Sequence, residues 1–482
     1  MNLAMIIYTL GWVVKVEGAG LLLPCLIAGV YREKEGLVYL ICALVFMTLG
    51  FFMTRRKPDN TEIYVKEGMV TVAGSWLVLS VIGAVPFLAT GEFTHVIDAF
   101  FEIVSGFTTT GASIRDNVEN LCHATLFWRS FSHWIGGMGV LVFILMLVPV
   151  KSGSRMNLMR AESPGYDVSK FVPKVRDSAT VLYRIYIALT LLQIVILLIS
   201  GMYWFDSLCI TFGSAGTGGF AVLNSSCASY TPAQQVIITV FMALFGCIFA
   251  FYYLIITKRV FEAFKMEEIR TYIGILIAAA LVIAANIYYL HHSVGETLRE
   301  SFFQTVSIMT TTGYTTADFN AWPALSKTVL VILMCIGACA GSTGGGMKVS
   351  RLIVCMKENR RTLKSYIHPR GVFKIRMDGR PLEENMIDTI NLYMILYIGI
   401  FALSVLLLSL NEFSFETNFS AVAATINNIG PGLDKVGPTA NYAGFTVFSK
   451  LILIFDMLAG RLELFPMLFL LYPKTWRHNT WS

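Results

Sequence analysis

The sequence predicts an all-α polytopic membrane protein: four parallel repeats of helix, short helix, loop and helix, preceded by two N-terminal helices. Three observations carry this. Only 14% of the 482 residues are Asp, Glu, Lys or Arg and 55% are hydrophobic, whereas soluble domains carry about 25% charged residues. Apolar runs of about 20 residues, long enough to cross a bilayer, recur along the whole chain. Between them lie four apolar segments of only 12 or 13 residues, 96–107, 203–214, 298–309 and 415–427, each followed by a Gly- or Thr-rich loop. Mean hydropathy is +0.65. This composition excludes disordered and collagen-like chains and argues strongly against a soluble enzyme.

The long runs place about ten spanning helices, at roughly 3–30, 36–54, 68–90, 124–150, 179–202, 232–257, 271–291, 326–349, 386–410 and 446–472. They divide the chain into a two-helix unit (1–67) and four repeats (68–150, 151–257, 258–349 and 350–482). No basic residue precedes Lys15 and no cleavage site is evident, so the first run reads as a retained helix. Lys15 and Glu17 interrupt it and face either other protein or each other. The four short segments cannot span. Re-entrant backbone at membrane depth must be buried in protein or line a water-filled path.

Charge orients the chain. The linkers 55–67, 151–184, 258–270 and 348–380 hold 4, 7, 4 and 10 Lys/Arg, which is 25 of the 37 basic residues. The positive-inside rule puts these linkers in the cytoplasm, the loops on the external side and, with an even number of spans, both termini inside. The net charge of 37 − 31 = +6 is therefore an orientation signal and not a nucleic-acid footprint. Linker 348–380 reads as a membrane anchor or as a docking surface for a cytoplasmic partner.

The four loops form an internal repeat. They read Thr108-Thr109-Thr110-Gly111-Ala112-Ser113, Ser214-Ala215-Gly216-Thr217-Gly218-Gly219, Thr310-Thr311-Thr312-Gly313-Tyr314-Thr315 and Asn427-Asn428-Ile429-Gly430-Pro431-Gly432. Aligned on Gly111, Gly218, Gly313 and Gly430, the spacings are 107, 95 and 117. Four equivalent loops can meet around one axis. A loop whose carbonyls all point at that axis must alternate in backbone handedness, and glycine reaches positive φ without a Cβ penalty. Such carbonyl rings replace the hydration shell of a monovalent cation. The loops contain no Asp or Glu, which suits K⁺ better than a divalent ion. The competing reading is four Gly-rich turns closing buried hairpins.

Downstream of the third loop, Gly337-Ala338-Cys339-Ala340-Gly341-Ser342-Thr343-Gly344-Gly345-Gly346 holds five Gly in ten residues. Each Gly costs a helix about 1 kcal/mol relative to Ala. Broken backbone at that depth predicts a flexible constriction below the loops; the alternative is small-residue helix packing through Gly337 and Gly341. Arg461 lies in the final apolar run, where a charge marks an ion path or a partnered site. It either faces the pore and raises the barrier for cations, or lies near the cytoplasmic end, snorkelling or bonding free carbonyls. Gly136-Gly137-Met138-Gly139 reads as close helix packing.

The nine cysteines lie mostly in apolar runs and read as small fillers. Cys335 and Cys339 lack the second pair a structural metal would need. The seven His show no metal-ligand spacing, and His291-His292 reads as interfacial.

Several segments together resemble the TrkH branch of the Trk/Ktr/HKT superfamily: Ser-Gly-Phe-Thr-Thr-Thr-Gly at 105–111, Ser-Thr-Gly-Gly-Gly-Met-Lys at 342–348, Asn-Asn-Ile-Gly-Pro-Gly at 427–432 and Gly-Arg-Leu-Glu at 460–463, with Ala161-Glu162-Ser163-Pro164-Gly165 and His368-Pro369-Arg370 in the linkers. The resemblance runs from about residue 68 to the C-terminus. It implies a potassium-uptake subunit of the bacterial cytoplasmic membrane with a pseudo-fourfold, K⁺-channel-like fold, working as a homodimer. It implies a cytoplasmic TrkA-like partner that binds NAD, ATP or ADP. It implies K⁺-binding filter residues at 109–112, 216–219, 311–314 and 428–431, a gate loop at 337–346, and Arg461 facing the permeation path. The chain itself carries no Gly-x-Gly-x-x-Gly after a strand, so no nucleotide site is expected in it.

The expected activity is gated K⁺ permeation. The alternative is K⁺ symport with H⁺ or Na⁺, which needs a titratable relay; Asp98, Glu102, Asp206 and Glu416 are the acidic candidates in or near the short helices. An intramembrane enzyme is a remote third reading, because no nucleophile–base or metal motif is present.

Overall fold

The computed structural model describes residues 1–139 and 175–476. The Ala161–Gly165 motif, the linker's basic residues up to Lys174 and the end of the expected span 124–150 lie outside them. The fold is all-α apart from one hairpin, in which Arg376–Met377 pairs antiparallel with Arg380–Pro381. Its turn is Asp378-Gly379, with φ of 50° and 78°, the sequence type that two positive-φ turn residues demand.

The N-terminal unit is a helical hairpin of Leu3–Tyr31 and Glu35–Thr54. Gly18 and Gly50 let the two backbones touch: a Cβ on them would lie 2.8 Å from the Met47 nitrogen and 2.7 Å from the Lys15 nitrogen. Both charges of the first helix face protein and not each other. Lys15 Nζ donates to Thr54 Oγ1 (2.9 Å), and Glu17 is buried beside Gly83 of the next helix.

Each repeat opens with a helix of 25 residues: Val65–Ala89, Val175–Ile199, Glu267–His291 and Glu384–Leu408. At 1.5 Å per residue that is about 37 Å, enough to cross the hydrocarbon core. Each then turns back into a short helix: Val96–Phe107, Trp204–Gly216, Val294–Met309 and Phe415–Ile426. The C-terminal halves of all four are buried, so their backbone is shielded by protein as re-entrant segments require.

The closing helices differ from the expectation. None of the four is a continuous span among the described residues. His123–Gly137 ends at the Gly136–Gly139 cluster. Pro232–Phe245 and Phe249–Ile256 meet at a bend of 92°. Ala324–Ile336 gives way to irregular backbone before Val349–Ile367 begins. Val447–Arg461 stops before Glu463 and Leu464, both at positive φ (54° and 68°), and Phe465–Leu471 follows. Six described helices are therefore long and apolar enough to span, or seven with the bent pair, against about ten spanning runs expected, of which only 326–349 was expected to be broken, at 337–346. Two of these helices pack closely just before they end. A Cβ at Gly136 would lie 1.9 Å from the Phe107 carbonyl oxygen, and at Gly460 2.0 Å from that of Ile426. These closing helices press on the ends of their own short helices, and glycine allows the approach.

Candidate functional site: a four-loop ring and the breaks beneath it

All four short helices end the same way. The residue after the helix end is left-handed: Thr109 (φ 55°), Thr217 (53°), Thr311 (60°) and Asn428 (56°). The next amide reaches back five residues: Thr110 N–H to Ser105 O (2.9 Å), Gly218 to Gly213 (2.8 Å), Thr312 to Ser307 (2.9 Å) and Ile429 to Ala424 (2.8 Å). This is a Schellman closure. A β-branched residue in the left-handed region is an outlier, and three of the four caps are threonine, a cost of order 1–3 kcal/mol each that surrounding structure must offset.

Two residues beyond each cap φ is positive again: Gly111 (78°), Gly219 (78°), Gly313 (82°) and Gly430 (95°). This corrects the register of the second loop. Gly219, not Gly218, is the counterpart of the other three glycines, and the spacings become 108, 94 and 117. Gly218 is the counterpart of Thr110, Thr312 and Ile429.

The loops close into a circuit. A Cβ on Gly111 would lie 1.9 Å from the carbonyl oxygen of Gly218. On Gly219 it would lie 2.1 Å from Thr312 O, on Gly313 2.0 Å from Ile429 O, and on Gly430 2.6 Å from Thr110 O. Each glycine thus abuts the carbonyl that precedes the next loop's glycine, and the fourth returns to the first. One open cavity is lined by all four of these glycines. The seam between last and first repeats is tied by Asn428 Nδ2, which donates to Thr110 Oγ1 (3.0 Å) and Met457 O (2.9 Å), and by the Lys450–Asp98 ion pair (2.8 Å).

Two supports behind the ring have no local signature in the sequence. Glu102 is fully buried and paired with Arg129 (2.7 Å). It also accepts from Ser113 Oγ and the Ile114 amide, both at 2.9 Å, which braces the backbone leaving the first loop. The Arg129 guanidinium lies 4.1 Å from the centre of the Phe220 ring. His133, also fully buried, has Nδ1 2.7 Å from Gly106 O, while its Nε2 accepts from the Phe220 amide (3.2 Å). A Cβ on Gly218 would strike that imidazole at 2.3 Å. The second loop is therefore Thr-Gly-Gly because His133 fills the space a threonine side chain takes elsewhere.

The other acidic candidates are also engaged. Asp98 binds Lys450, Asp206 accepts from Tyr230 (3.3 Å) and Glu416 lies 3.7 Å from Lys327. At the C-terminal end of the helix Glu267–His291, His291, Glu296 and Glu300 cluster within 4.8 Å, a proximity that sequence spacing did not reveal. Arg299 lies 3.7 Å from Glu296 and His291 3.0 Å from Glu300, so ion pairing accounts for the cluster. All nine cysteines are free.

Beneath the ring the breaks of the four repeats meet. Gly337, Gly341 and Gly346 are all at positive φ (73°, 68° and 77°), and the stretch is not helical, so helix–helix packing through Gly337 and Gly341 does not occur. The stretch folds on itself and, among the described residues, contacts the second and fourth repeats directly; only through Arg461 is it linked to the first. Thr343 Oγ1 donates to Phe245 O (3.2 Å), the Cys339 amide to Gly246 O (3.2 Å) and the Phe249 amide to Gly341 O (3.1 Å). The Gly345 amide donates to Thr311 Oγ1 (2.6 Å), and a Cβ there would lie 2.4 Å from Asn427 O. Lys348 Nζ donates to Gly344 O, and Arg351 pairs with Glu463 at the fourth break. Arg461 joins the remaining elements: Nη1 donates to Thr343 O (2.8 Å), and Nη2 to Gly137 O (2.8 Å) and Gly136 O. Its guanidinium bonds carbonyls of two other repeats, as the alternative to a pore-facing charge expected, and does not snorkel outward.

Full-length relatives match this chain from end to end. The family described as TrkH, cation transport protein, matches residues 37–283 and 276–477. The Trk system potassium uptake protein TrkH of Salmonella typhimurium is 33% identical over 484 residues, covering 99% of this chain and 100% of its own. Its namesake from Vibrio parahaemolyticus is 34% identical over 489 residues, with 99% and 100% covered. The crystal structure of the potassium transporter TrkH from Vibrio parahaemolyticus superposes with a TM-score of 0.88 at 32% identity, again over 99% and 100% of the two chains. A multi-pass helical architecture, a fourfold loop ring and end-to-end similarity to these relatives lead to one statement: the chain belongs to the TrkH family of cation transport proteins.

Proposed function

We propose that this chain is the K⁺-conducting subunit of a bacterial K⁺-uptake system in the cytoplasmic membrane, with both termini inside. The closed circuit of glycines and carbonyls supports this above all else. Neutral carbonyls in a ring suit a monovalent cation. The filter comprises 109–112, 311–314 and 428–431, and in the second loop Thr217, Gly218, Gly219 and Phe220, one residue later than 216–219. The stretch 337–346 with Arg461 is the gate, since it bridges the space below the ring. A membrane potential supplies about 2.3 kcal/mol per charge per 100 mV, enough to drive uptake without a coupled ion. The subunit works as a homodimer with a TrkA-like cytoplasmic partner, and nucleotide control resides in that partner.

The test is ⁸⁶Rb⁺ and K⁺ flux in proteoliposomes, with and without a TrkA-like partner and nucleotides, together with reversal potentials at varied pH and Na⁺. A reversal that follows K⁺ alone supports permeation; one that also follows pH or Na⁺ establishes symport instead.

Two further outcomes are expected in the same assay. Deleting 340–345 removes the bonds to Arg461, Phe245 and Thr311, each worth about 1–3 kcal/mol, so basal flux should rise roughly tenfold or more; lower flux in a well-folded protein argues against a gate. Gly218→Thr restores the residue of two sister loops but overpacks His133, a cost of about 1–3 kcal/mol. Flux should fall about tenfold and recover in part in the Gly218→Thr, His133→Ser double variant. Wild-type flux in the single variant would show that His133 does not constrain this loop.

A further inference from the structure

Glu268 is the second residue of the helix Glu267–His291 and is 2% exposed. Its Oε1 accepts two amides: that of Ala340 (2.6 Å) inside the glycine-rich stretch, and that of Ser350 (3.2 Å) just beyond its far end. One carboxylate oxygen thereby holds together the two sides of the stretch. Ser350 lies in the first turn of the helix Val349–Ile367, where amides lack intrahelical partners and a negative charge is favoured. Bonds to an ionised acceptor are roughly twice as strong as neutral ones.

The preceding residue reaches the other way. Glu267 pairs with Lys357 Nζ, two turns along that same helix. Lys357 Nζ also donates to Arg376 O (2.7 Å), and the Glu267 amide donates to Asp378 Oδ1 (2.8 Å). Arg376 and Asp378 belong to the cytoplasmic hairpin with the Asp-Gly turn. Hairpin, helix start and glycine-rich stretch are thus joined through two adjacent glutamates.

We infer that Glu268 is the positioning residue that clasps the gate loop shut, and that the Asp378–Gly379 hairpin sets the place of this clasp through Glu267. The inference rests on the permeation reading above. A displacement of the hairpin moves the helix start, withdraws the carboxylate from Ala340 and Ser350, and frees the loop. The residue touches no permeating ion; it acts through the loop.

The experiment is basal ⁸⁶Rb⁺ flux of the full chain in proteoliposomes, without partner, for wild type, Glu268→Ala, Glu268→Gln, Asp378→Ala and the Glu268→Ala, Asp378→Ala pair. Glu268→Ala should raise flux about tenfold, the ratio that loss of one charge-assisted hydrogen bond corresponds to. Glu268→Gln keeps an acceptor of the same shape and should rise less. K⁺/Na⁺ selectivity should stay at the wild-type value in both, since the filter is untouched. Asp378→Ala should raise flux alone and add nothing in the Glu268→Ala background. A residue needed only for folding would not raise flux at constant selectivity or give this non-additivity. If Glu268→Ala fails to fold, Glu268→Gln decides. Wild-type flux with unchanged or lowered flux in the folded variants, or effects that multiply in the pair, overturns the clasp alone. If neither wild type nor the 340–345 deletion passes K⁺, the permeation reading falls and the clasp with it.

Discussion

Gly313→Ser should abolish most of the discrimination between K⁺ and Na⁺. Gly313 has φ of +82°, and a Cβ there would lie 2.0 Å from the Ile429 carbonyl oxygen and 3.0 Å from Pro431 Cδ. An L-residue in the left-handed region costs about 1–2 kcal/mol before any clash is counted. The overlap with Ile429 O cannot be relieved by a rotamer change, because both atoms belong to or sit on the backbone. Either the third loop flips out of the left-handed region or the Ile429 carbonyl turns away, and the ring loses its registry in two adjacent quarters. If only 1.4 kcal/mol of this reaches the difference between the two ions, their permeability ratio falls tenfold. Bi-ionic reversal potentials in proteoliposomes measure it directly. A wild-type ratio in a folded Gly313→Ser protein would remove the ring from the selectivity mechanism.

Arg461→Ala should raise basal K⁺ flux by about tenfold or more, through two separable effects. The side chain donates to three carbonyls, those of Thr343, Gly136 and Gly137, and hydrogen bonds from a charged donor are worth about 1.5–3 kcal/mol each. Removing them unties the gate loop from the first repeat. The same substitution removes a fixed positive charge below the ring, which opposes an approaching cation in a low-dielectric setting. Arg461→Lys separates the two: it keeps the charge and loses the planar fork that reaches three acceptors. Flux in the lysine variant should lie between wild type and alanine. Unchanged flux in both variants would show that Arg461 takes no part in gating; a lowered thermal midpoint alongside it would leave Arg461 only a helix-stitching role.

Much of this was legible in the sequence, for identifiable reasons. Low charge and long apolar runs point to a membrane because solvation imposes them on every residue. The four loops are visible because positive φ at one place in each quarter demands glycine, and Arg461 is visible because a charge in an apolar run is costly. The register of the second loop was not visible: Gly218 and Gly219 are adjacent, and only backbone handedness tells them apart. The break at 337–346 was legible in its five glycines, but the first was not, because a glycine cluster such as Gly136–Gly139 is compatible with close packing of an intact helix. The close packing of Gly136 and Gly460 on the Phe107 and Ile426 carbonyls is a contact in space. The same holds for Glu102–Arg129, 27 residues apart, and Asp98–Lys450, 352 apart. Periodicity and spacing carry no trace of such pairs.

The four quarters share one backbone circuit, yet each carries something the others lack. Among the described residues, the first supplies a histidine that stands in for a side chain on the second's loop, the second a right-angled bend, the third a glycine-rich stretch, and the fourth an arginine that bonds carbonyls of two other repeats. A channel assembled from four identical subunits could own none of these. Its axis would receive four arginines and four glycine-rich stretches at once, and like charges at close range would repel one another instead of binding carbonyls. Linking the quarters in one polypeptide releases them from symmetry. A single substitution then changes one wall of the pore, and the lock can be built from different parts on each side.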